Sequence, residues 1–191
     1  DNITNIPVRT TSDERDIVLV LDVSGSMMGT PMDETKKAST KFIDTILNED
    51  ASIGVVTYDN SASMLSDFSV DKTYLTNAVT NISDGGGTNI EAGLAEAKSM
   101  LDSSNAKKKI IVLMSDGAPN DGKTGEELVA YADSLKNNDI LIYTLGFFEN
   151  MGSGKSSAQN LMEQLASEGC HYEVASADDL VFLFEDMADQ I

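Results

Sequence analysis

Three short segments of the sequence combine aspartate, serine and threonine with glycine. They read DVSGS over residues 22–26, GGGTN over residues 85–89 and MSDG over residues 114–117. No histidine, cysteine or lysine lies within them. A set that offers only carboxylate and hydroxyl oxygens suits hard cations such as Mg²⁺ and Mn²⁺ rather than zinc or copper. The candidate metal ligands, which offer only oxygen, are Asp22, Ser24, Ser26, Thr88 and Asp116.

The charge of this set indicates what it can bind. Only the two aspartates are charged, so a bound dication would be about neutralised and would stay electrophilic. Water would fill the coordination positions that the five side chains leave free. A carboxylate from outside the chain could replace one of these waters. The neighbouring glycines let backbone loops approach the ion without a Cβ clash. The set therefore predicts binding of Mg²⁺, with Mn²⁺ or Ca²⁺ as alternatives, rather than turnover.

Catalytic interpretations of these segments are less favoured. The run GFFENMGSGKSS, residues 146–157, contains the Gly-Lys-Ser that ends a phosphate-binding loop motif. Glu149 stands where that motif needs glycine, and its charge would repel a phosphate. Residues 152–157 are therefore expected to form a surface loop. A magnesium-dependent phosphatase would pair Asp22 with a carboxylate two residues later, where Ser24 stands. The run GSMMG does not match the G-x-S-x-G motif of serine hydrolases. We therefore predict a protein that is not an enzyme, with a magnesium-dependent hydrolase as the less favoured alternative.

Composition excludes two classes of partner. The 191 residues include 13 basic and 32 acidic side chains, a formal net charge of −19. Nucleic acid and anionic membranes both require a basic footprint, so neither is expected as the main partner. No apolar run approaches the roughly 18 residues that span a bilayer, so no direct membrane insertion is expected. Cys170 is the single cysteine, which excludes an internal disulfide and a cysteine zinc cluster.

Short apolar runs alternate with helical stripes along the chain. Four runs are continuously apolar, as is typical of parallel strands covered on both faces, and weaker runs lie at 62–65 and 172–174. Between them apolar residues recur at helical spacing, as in Ala38, Phe42 and Ile46. This alternation predicts an α/β fold in which helices cover a mostly parallel sheet. The four strong runs are 17–21, 53–58, 110–114 and 140–145.

One connection between the predicted strands is too short for a parallel pair. Only residues 59–61 separate the run at 53–58 from the run at 62–65, whereas a parallel crossover needs a dozen or more. We therefore predict a hairpin and an antiparallel third strand at a sheet edge. Right-handed crossovers would bring the three polar segments to the same edge of the sheet. Residues 1–15 are polar and aperiodic, which predicts a lead-in segment before a single domain over 16–191.

The order and context of these motifs resemble the von Willebrand factor type A (vWA) domain family. D-x-S-x-S after a strand, a GGxT loop and a later SDG are the pattern of the family's metal-ion-dependent adhesion site, and all five positions match. The resemblance implies a three-layer Rossmann-like sandwich, with a six-stranded sheet, one antiparallel edge strand and helices on both faces. It also implies that Ser24, Ser26 and Thr88 bind the ion directly, and Asp22 and Asp116 directly or through water.

The same resemblance implies a function in cation-dependent, adhesion-type protein binding. A partner's acidic side chain would complete the Mg²⁺ shell, and Met27, Met28 and Asn89 are the predicted rim of the partner-binding surface. The chain would then be a monomeric domain of a larger extracellular or cell-surface protein, such as a bacterial adhesin. The alternative is a cytoplasmic module that assembles a complex with an ATPase or a chelatase.

Overall fold

The computed structural model describes residues 14–47, 50–149 and 151–191. The predicted lead-in lies outside this part up to residue 13, and Arg15 already belongs to the first strand. Short 3₁₀ turns cover Gly25–Met27 and Ala177–Asp179. The strands and α-helices are β1 (Arg15–Asp22), α1 (Thr30–Ile46), β2 (Ala51–Tyr58), β3 (Ala62–Ser69), α2 (Lys72–Thr80), α3 (Ile90–Asp102), β4 (Lys108–Ser115), α4 (Gly125–Lys136), β5 (Ile140–Gly146), α5 (Lys155–Leu165), β6 (His171–Glu173) and α6 (Leu180–Gln190).

The strands form one six-stranded sheet in the order β3-β2-β1-β4-β5-β6. All neighbouring pairs are parallel except β2 and β3, which confirms the predicted hairpin and the antiparallel edge strand. The hairpin closes through Asp59, whose backbone N–H donates to Ser61 O at 2.9 Å and whose Oδ1 accepts from Ser61 N–H at 3.0 Å. A three-residue turn is enough because antiparallel neighbours need no crossover.

Helices cover both faces of the sheet, which confirms the predicted three-layer architecture. Successive residues of β1 point to opposite faces, so Ile17, Leu19 and Leu21 join one core cluster while Val18 and Val20 join the other. The first cluster packs against α1, α2 and α6, and the second against α3, α4 and α5. Burial on both sides is the reason why residues 17–21 of this strand are continuously apolar.

One local feature differs from the expectation. Helix α5 begins at Lys155, so residues 155–157 form its first turn instead of the predicted surface loop. In the part of the chain that the structure describes, no helix combines the length and apolar character needed to cross a membrane.

Candidate metal centre

The two candidate aspartates lie at the carboxyl ends of neighbouring parallel strands. Asp22 is the last residue of β1, and Asp116 follows Ser115, the last residue of β4. The chain continues from β1 to one side of the sheet and from β4 to the other, so the strand order reverses between them. Ligands of open α/β sheets bind at this kind of switch point. Both side chains are nearly inaccessible, with exposures of 0% for Asp22 and 4% for Asp116.

Two hydrogen bonds hold the Asp22 carboxylate. Its Oδ1 accepts from the backbone N–H of Ser24 at 2.9 Å, and its Oδ2 accepts from Ser115 Oγ at 2.7 Å. Ser115 Oγ in turn accepts from Gly117 N–H at 2.9 Å. Ser115 is not among the site residues predicted from the sequence, although it is part of the MSDG motif. A serine that ends a buried strand directly before a candidate ligand is the signal that could have identified it.

The electrostatic surroundings of Asp22 favour a cation beside it. Burial raises the pKa of its carboxyl group from 3.8 to about 6, and the charge of Asp116 adds to this, while hydrogen bonds from Ser24 and Ser115 act in the opposite direction. None of the ion pairs between described residues includes either aspartate. A divalent cation would supply the compensating charge that no neighbouring side chain provides.

The two candidate serines converge beside Asp22. The chain turns into a short 3₁₀ helix after Ser24, and Met27 N–H donates to Ser24 O at 3.0 Å. This turn brings Ser24 Oγ within 3.0 Å of Ser26 Oγ. Ser24 is buried, whereas Ser26 is exposed. The two hydroxyl groups therefore lie between the buried Asp22 carboxylate and the protein surface.

Backbone hydrogen bonds join the loop of residues 81–89 to the segment at 22–26 and to the stretch that follows the segment at 114–117. Gly25 N–H donates to Gly86 O at 3.0 Å, and Asn120 N–H donates to Thr88 O at 3.0 Å. Thr88 is 2% exposed. The structure thus gathers the three polar segments at one edge of the sheet. Coordination of an ion by their side chains stays a prediction.

A buried tyrosine hydroxyl adds to the polar groups around Asp22. Tyr58 pairs with Asp22 in the register of β1 and β2, and its buried hydroxyl lies close to Ser115 and Asp22 without a hydrogen bond of good geometry to a described residue. Burial, with the negative charge of Asp22, raises the pKa of Tyr58 well above its usual value. No group of three or more histidine, cysteine, aspartate or glutamate residues in the described ranges could hold a metal. The predicted donors are two carboxylates and three hydroxyls, a set that would suit a hard cation together with retained water.

The predicted rim needs a correction at Met27. Its side chain is fully buried in the core between the sheet and α1, so it does not form part of the surface. Met28 is 68% exposed. Asn89 is the N-cap of α3: its Oδ1 accepts from Ala92 N–H at 2.9 Å, and its Nδ2 donates to Asn60 O at 3.2 Å. Of the three residues, Met28 alone presents a largely free side chain.

Replacing Ser115 with alanine is expected to lower the free energy of unfolding by about 1–3 kcal/mol. The change leaves Asp22 Oδ2 and the buried Gly117 N–H without their partner. Ser39→Ala is the matched control, since this buried hydroxyl makes a weak hydrogen bond to the sulfur of Met114, at 3.6 Å, and none to a charged group among the described residues. Urea denaturation of the metal-free protein measures both variants. Equal losses in the two would contradict the bridging role of Ser115.

The fold and the polar edge of its sheet define an α/β domain of Rossmann-like topology. The sequence profile of the family described as von Willebrand factor type A domain matches residues 16–189. The chain belongs to this family. The predicted family resemblance is therefore confirmed, while the completeness of its metal site is not tested by this match.

Two proteins with similar sequences come from different organisms. The minor fimbrium subunit Mfa5 of Porphyromonas gingivalis is 34% identical over 110 residues, covering 53% of this chain and 9% of that protein. The inter-alpha-trypsin inhibitor heavy chain H3 of Mus musculus is 30% identical over 169 residues, covering 81% of this chain and 18% of that protein. The chain thus spans less than a fifth of the length of these two relatives.

Solved structures of bacterial pilus proteins share the fold. The vWF domain of the type V pili tip protein Mfa5 from Porphyromonas gingivalis aligns with a TM-score of 0.78 at 20% identity, covering 94% of this chain and 95% of that one. The pilus adhesin SpaC from Lactobacillus rhamnosus GG aligns with a TM-score of 0.75 at 16% identity, covering 93% of this chain and 30% of that one. At these identities the likeness establishes the fold alone.

Proposed function

We propose that this domain binds a protein partner through a divalent cation, with Mg²⁺ as the resident ion. Ser24, Ser26 and Thr88 would hold the ion through their hydroxyl oxygens, and Asp22 and Asp116 directly or through water. The observation that carries the proposal is the pair of buried carboxylates at the switch point, which no cationic side chain among the described residues compensates.

The charge balance and the exposure of the site indicate which ligand the ion would accept. Two carboxylates neutralise a dication, but three neutral hydroxyls add no further negative charge, so an additional acidic oxygen would bind favourably. Ser26 is exposed and Met28 lies beside it with 68% exposure. A partner's aspartate or glutamate would reach the ion from this side, and Met28 would contact the apolar surroundings of that side chain.

The relatives support a role in adhesion at the cell surface. Mfa5 is described as a type V pili tip protein and SpaC as a pilus adhesin, and each is longer than the part that this domain matches. We infer that the domain acts outside the cell as part of a larger protein. The cytoplasmic assembly module stays the alternative.

We also propose that the site carries out no reaction. The Ser24 hydroxyl contacts the Ser26 hydroxyl, at 3.0 Å, and no imidazole, amine or thiol among the described residues is hydrogen-bonded to it. His171, the single histidine of the chain, lies on the edge strand β6, two strands away from β4. Its Nδ1 is hydrogen-bonded to Thr144 Oγ1 at 2.7 Å. Without a base beside it, a serine hydroxyl lacks a group that would take its proton during nucleophilic attack.

Manganese provides a direct test of the ion and of its open coordination position. Mn²⁺ added to EDTA-treated protein should bind with retained water, and proton relaxation of the solvent measures that water. Acetate, used as the carboxylate probe, should then displace part of it and lower the relaxation rate. Absence of Mn²⁺ and Mg²⁺ uptake would contradict the proposed function, whereas uptake without any effect of acetate would contradict the partner carboxylate.

A matched pair of substitutions at Thr88 tests its role as a ligand. Thr88→Val keeps the shape of the buried side chain but removes the hydroxyl, and we expect Mg²⁺ affinity to fall about tenfold or more. Thr88→Ser keeps the hydroxyl, and its affinity should stay within about threefold of the original. A tenfold change corresponds to about 1.4 kcal/mol, which titration calorimetry resolves. Equal affinities of the valine and serine variants would exclude Thr88 as a ligand.

A further inference from the structure

Three consecutive backbone amides around Thr88 donate to groups from other loops. Gly87 N–H bonds Asn60 Oδ1 at 2.9 Å, and Thr88 N–H bonds Asn120 Oδ1 at 2.8 Å. Asn89 N–H bonds the backbone oxygen of Asp59 at 2.7 Å. The segment from 82 to 89 has no regular secondary structure, so no helix or strand ladder fixes its position. These bonds therefore determine where the Thr88 side chain lies.

Asn120 holds Thr88 from both sides of its backbone. Its Oδ1 accepts from Thr88 N–H at 2.8 Å, while its own N–H donates to Thr88 O at 3.0 Å. The two bonds close a ring that restrains both peptide groups flanking the threonine. Asn120 is itself exposed and lies four residues after Asp116. The ring thus couples the position of Thr88 to the segment that carries the second aspartate.

Asn60 connects the same loop to the hairpin between β2 and β3. Besides accepting from Gly87 N–H, it donates from Nδ2 to Asp121 Oδ2 at 3.4 Å, and its backbone oxygen accepts from Asn89 Nδ2 at 3.2 Å. A Cβ on Gly87 would lie 2.5 Å from Asn60 Nδ2, and one on Gly86 would lie 2.9 Å from Asn60 Oδ1. Part of the reason for glycine in the GGG motif is therefore the approach of Asn60.

We propose that Asn60 and Asn120 are positioning residues of the metal site, which bind no ion themselves but fix Thr88 so that its hydroxyl can. The inference rests on the proposed function, since it assumes that Thr88 is a ligand. A neutral hydroxyl attracts a cation only weakly, so its contribution depends on being held at the right place. An amide suits the role because it accepts from a backbone N–H and can donate as well.

Substitutions of Asn120 test the inference with a built-in rescue. Asn120→Ala removes the acceptor for Thr88 N–H, and Mg²⁺ affinity should fall about 10-fold or more, as for other groups that support metal ligands. Asn120→Asp keeps an oxygen acceptor at that place, and its affinity should stay within about threefold of the original. Asn138→Ala is the matched control, because this exposed asparagine also bonds the backbone through its side chain, donating from Nδ2 to Ser134 O at the end of α4.

Titration calorimetry with Mg²⁺ and urea denaturation in EDTA are measured for all four proteins. The inference is supported when the alanine variant alone loses affinity while its unfolding free energy matches that of Asn138→Ala. It is overturned when the original protein binds Mg²⁺ and Asn120→Ala binds it equally well, which leaves the proposed function intact. A loss of affinity in the aspartate or Asn138 variants also overturns it. No Mg²⁺ uptake by the original protein overturns both proposals together.

Discussion

Asp22→Asn is expected to abolish the stabilisation of this domain by Mg²⁺. One unit charge at about 4 Å contributes about 4 kcal/mol at an effective dielectric constant of about 20, so loss of the Asp22 charge should weaken Mg²⁺ binding at least about 100-fold. An ion present at 100 times its dissociation constant stabilises the fold by about 2.7 kcal/mol. For a domain of this size that is a rise in Tm of about 5–10 °C, which the variant should lack.

The metal-free variant should remain folded. The pKa of Asp22 is raised to about 6 by burial, which means that the fold favours the neutral carboxyl group, so a neutral asparagine removes an unfavourable charge at pH 7. One of its two hydrogen bonds is lost in exchange, and the net change should stay within about 1 kcal/mol.

A matched control separates the site from the general acidity of the chain. Asp189→Asn makes the same chemical change on the exposed surface of α6, and its Tm should rise with Mg²⁺ as in the original protein. Thermal unfolding with EDTA and with Mg²⁺ measures all three proteins. A Mg²⁺-dependent rise that persists in Asp22→Asn would mean that the ion binds elsewhere.

Phe184→Ala is expected to cost about 3–5 kcal/mol of the free energy of unfolding, the largest effect on stability that we predict. Phe184 is fully buried where α6 packs against α1 and the sheet, and its ring meets Phe42 edge-on at 5.2 Å. Truncation removes this contact and leaves a cavity that the surrounding helices cannot fill. Domains of this kind have about 5–15 kcal/mol of stability in total, so the variant should lose a large share of it.

The neighbouring phenylalanine on the same helix is the control for this prediction. Phe182 is 77% exposed, so Phe182→Ala makes the same change in helix propensity but removes little buried surface. Its effect on the free energy of unfolding should stay within about 0.5 kcal/mol. Urea denaturation compares the two variants directly. Similar losses in both would contradict the packing of α6 described above.

Much of the fold could be predicted because burial on two faces leaves a simple pattern. The middle parts of the core strands β1 and β4, residues 17–21 and 110–114, are continuously apolar, and the three-residue link after Tyr58 is too short for anything but a hairpin. Met27 shows where such reasoning ends. It stands beside the candidate serines in the sequence, but the 3₁₀ turn rotates its side chain into the core.

The sequence by itself determined the α/β architecture, the family and the five oxygen-bearing candidates, because strand periodicity and motif spacing are local properties of the chain. The tertiary structure alone decided the surroundings of those candidates. Ser115 lies 93 positions from the carboxylate that it bonds, and Asn120 lies 32 positions from the threonine that it restrains. Contacts between irregular loops have no periodicity, so only the folded chain shows which side chains meet at the edge of the sheet.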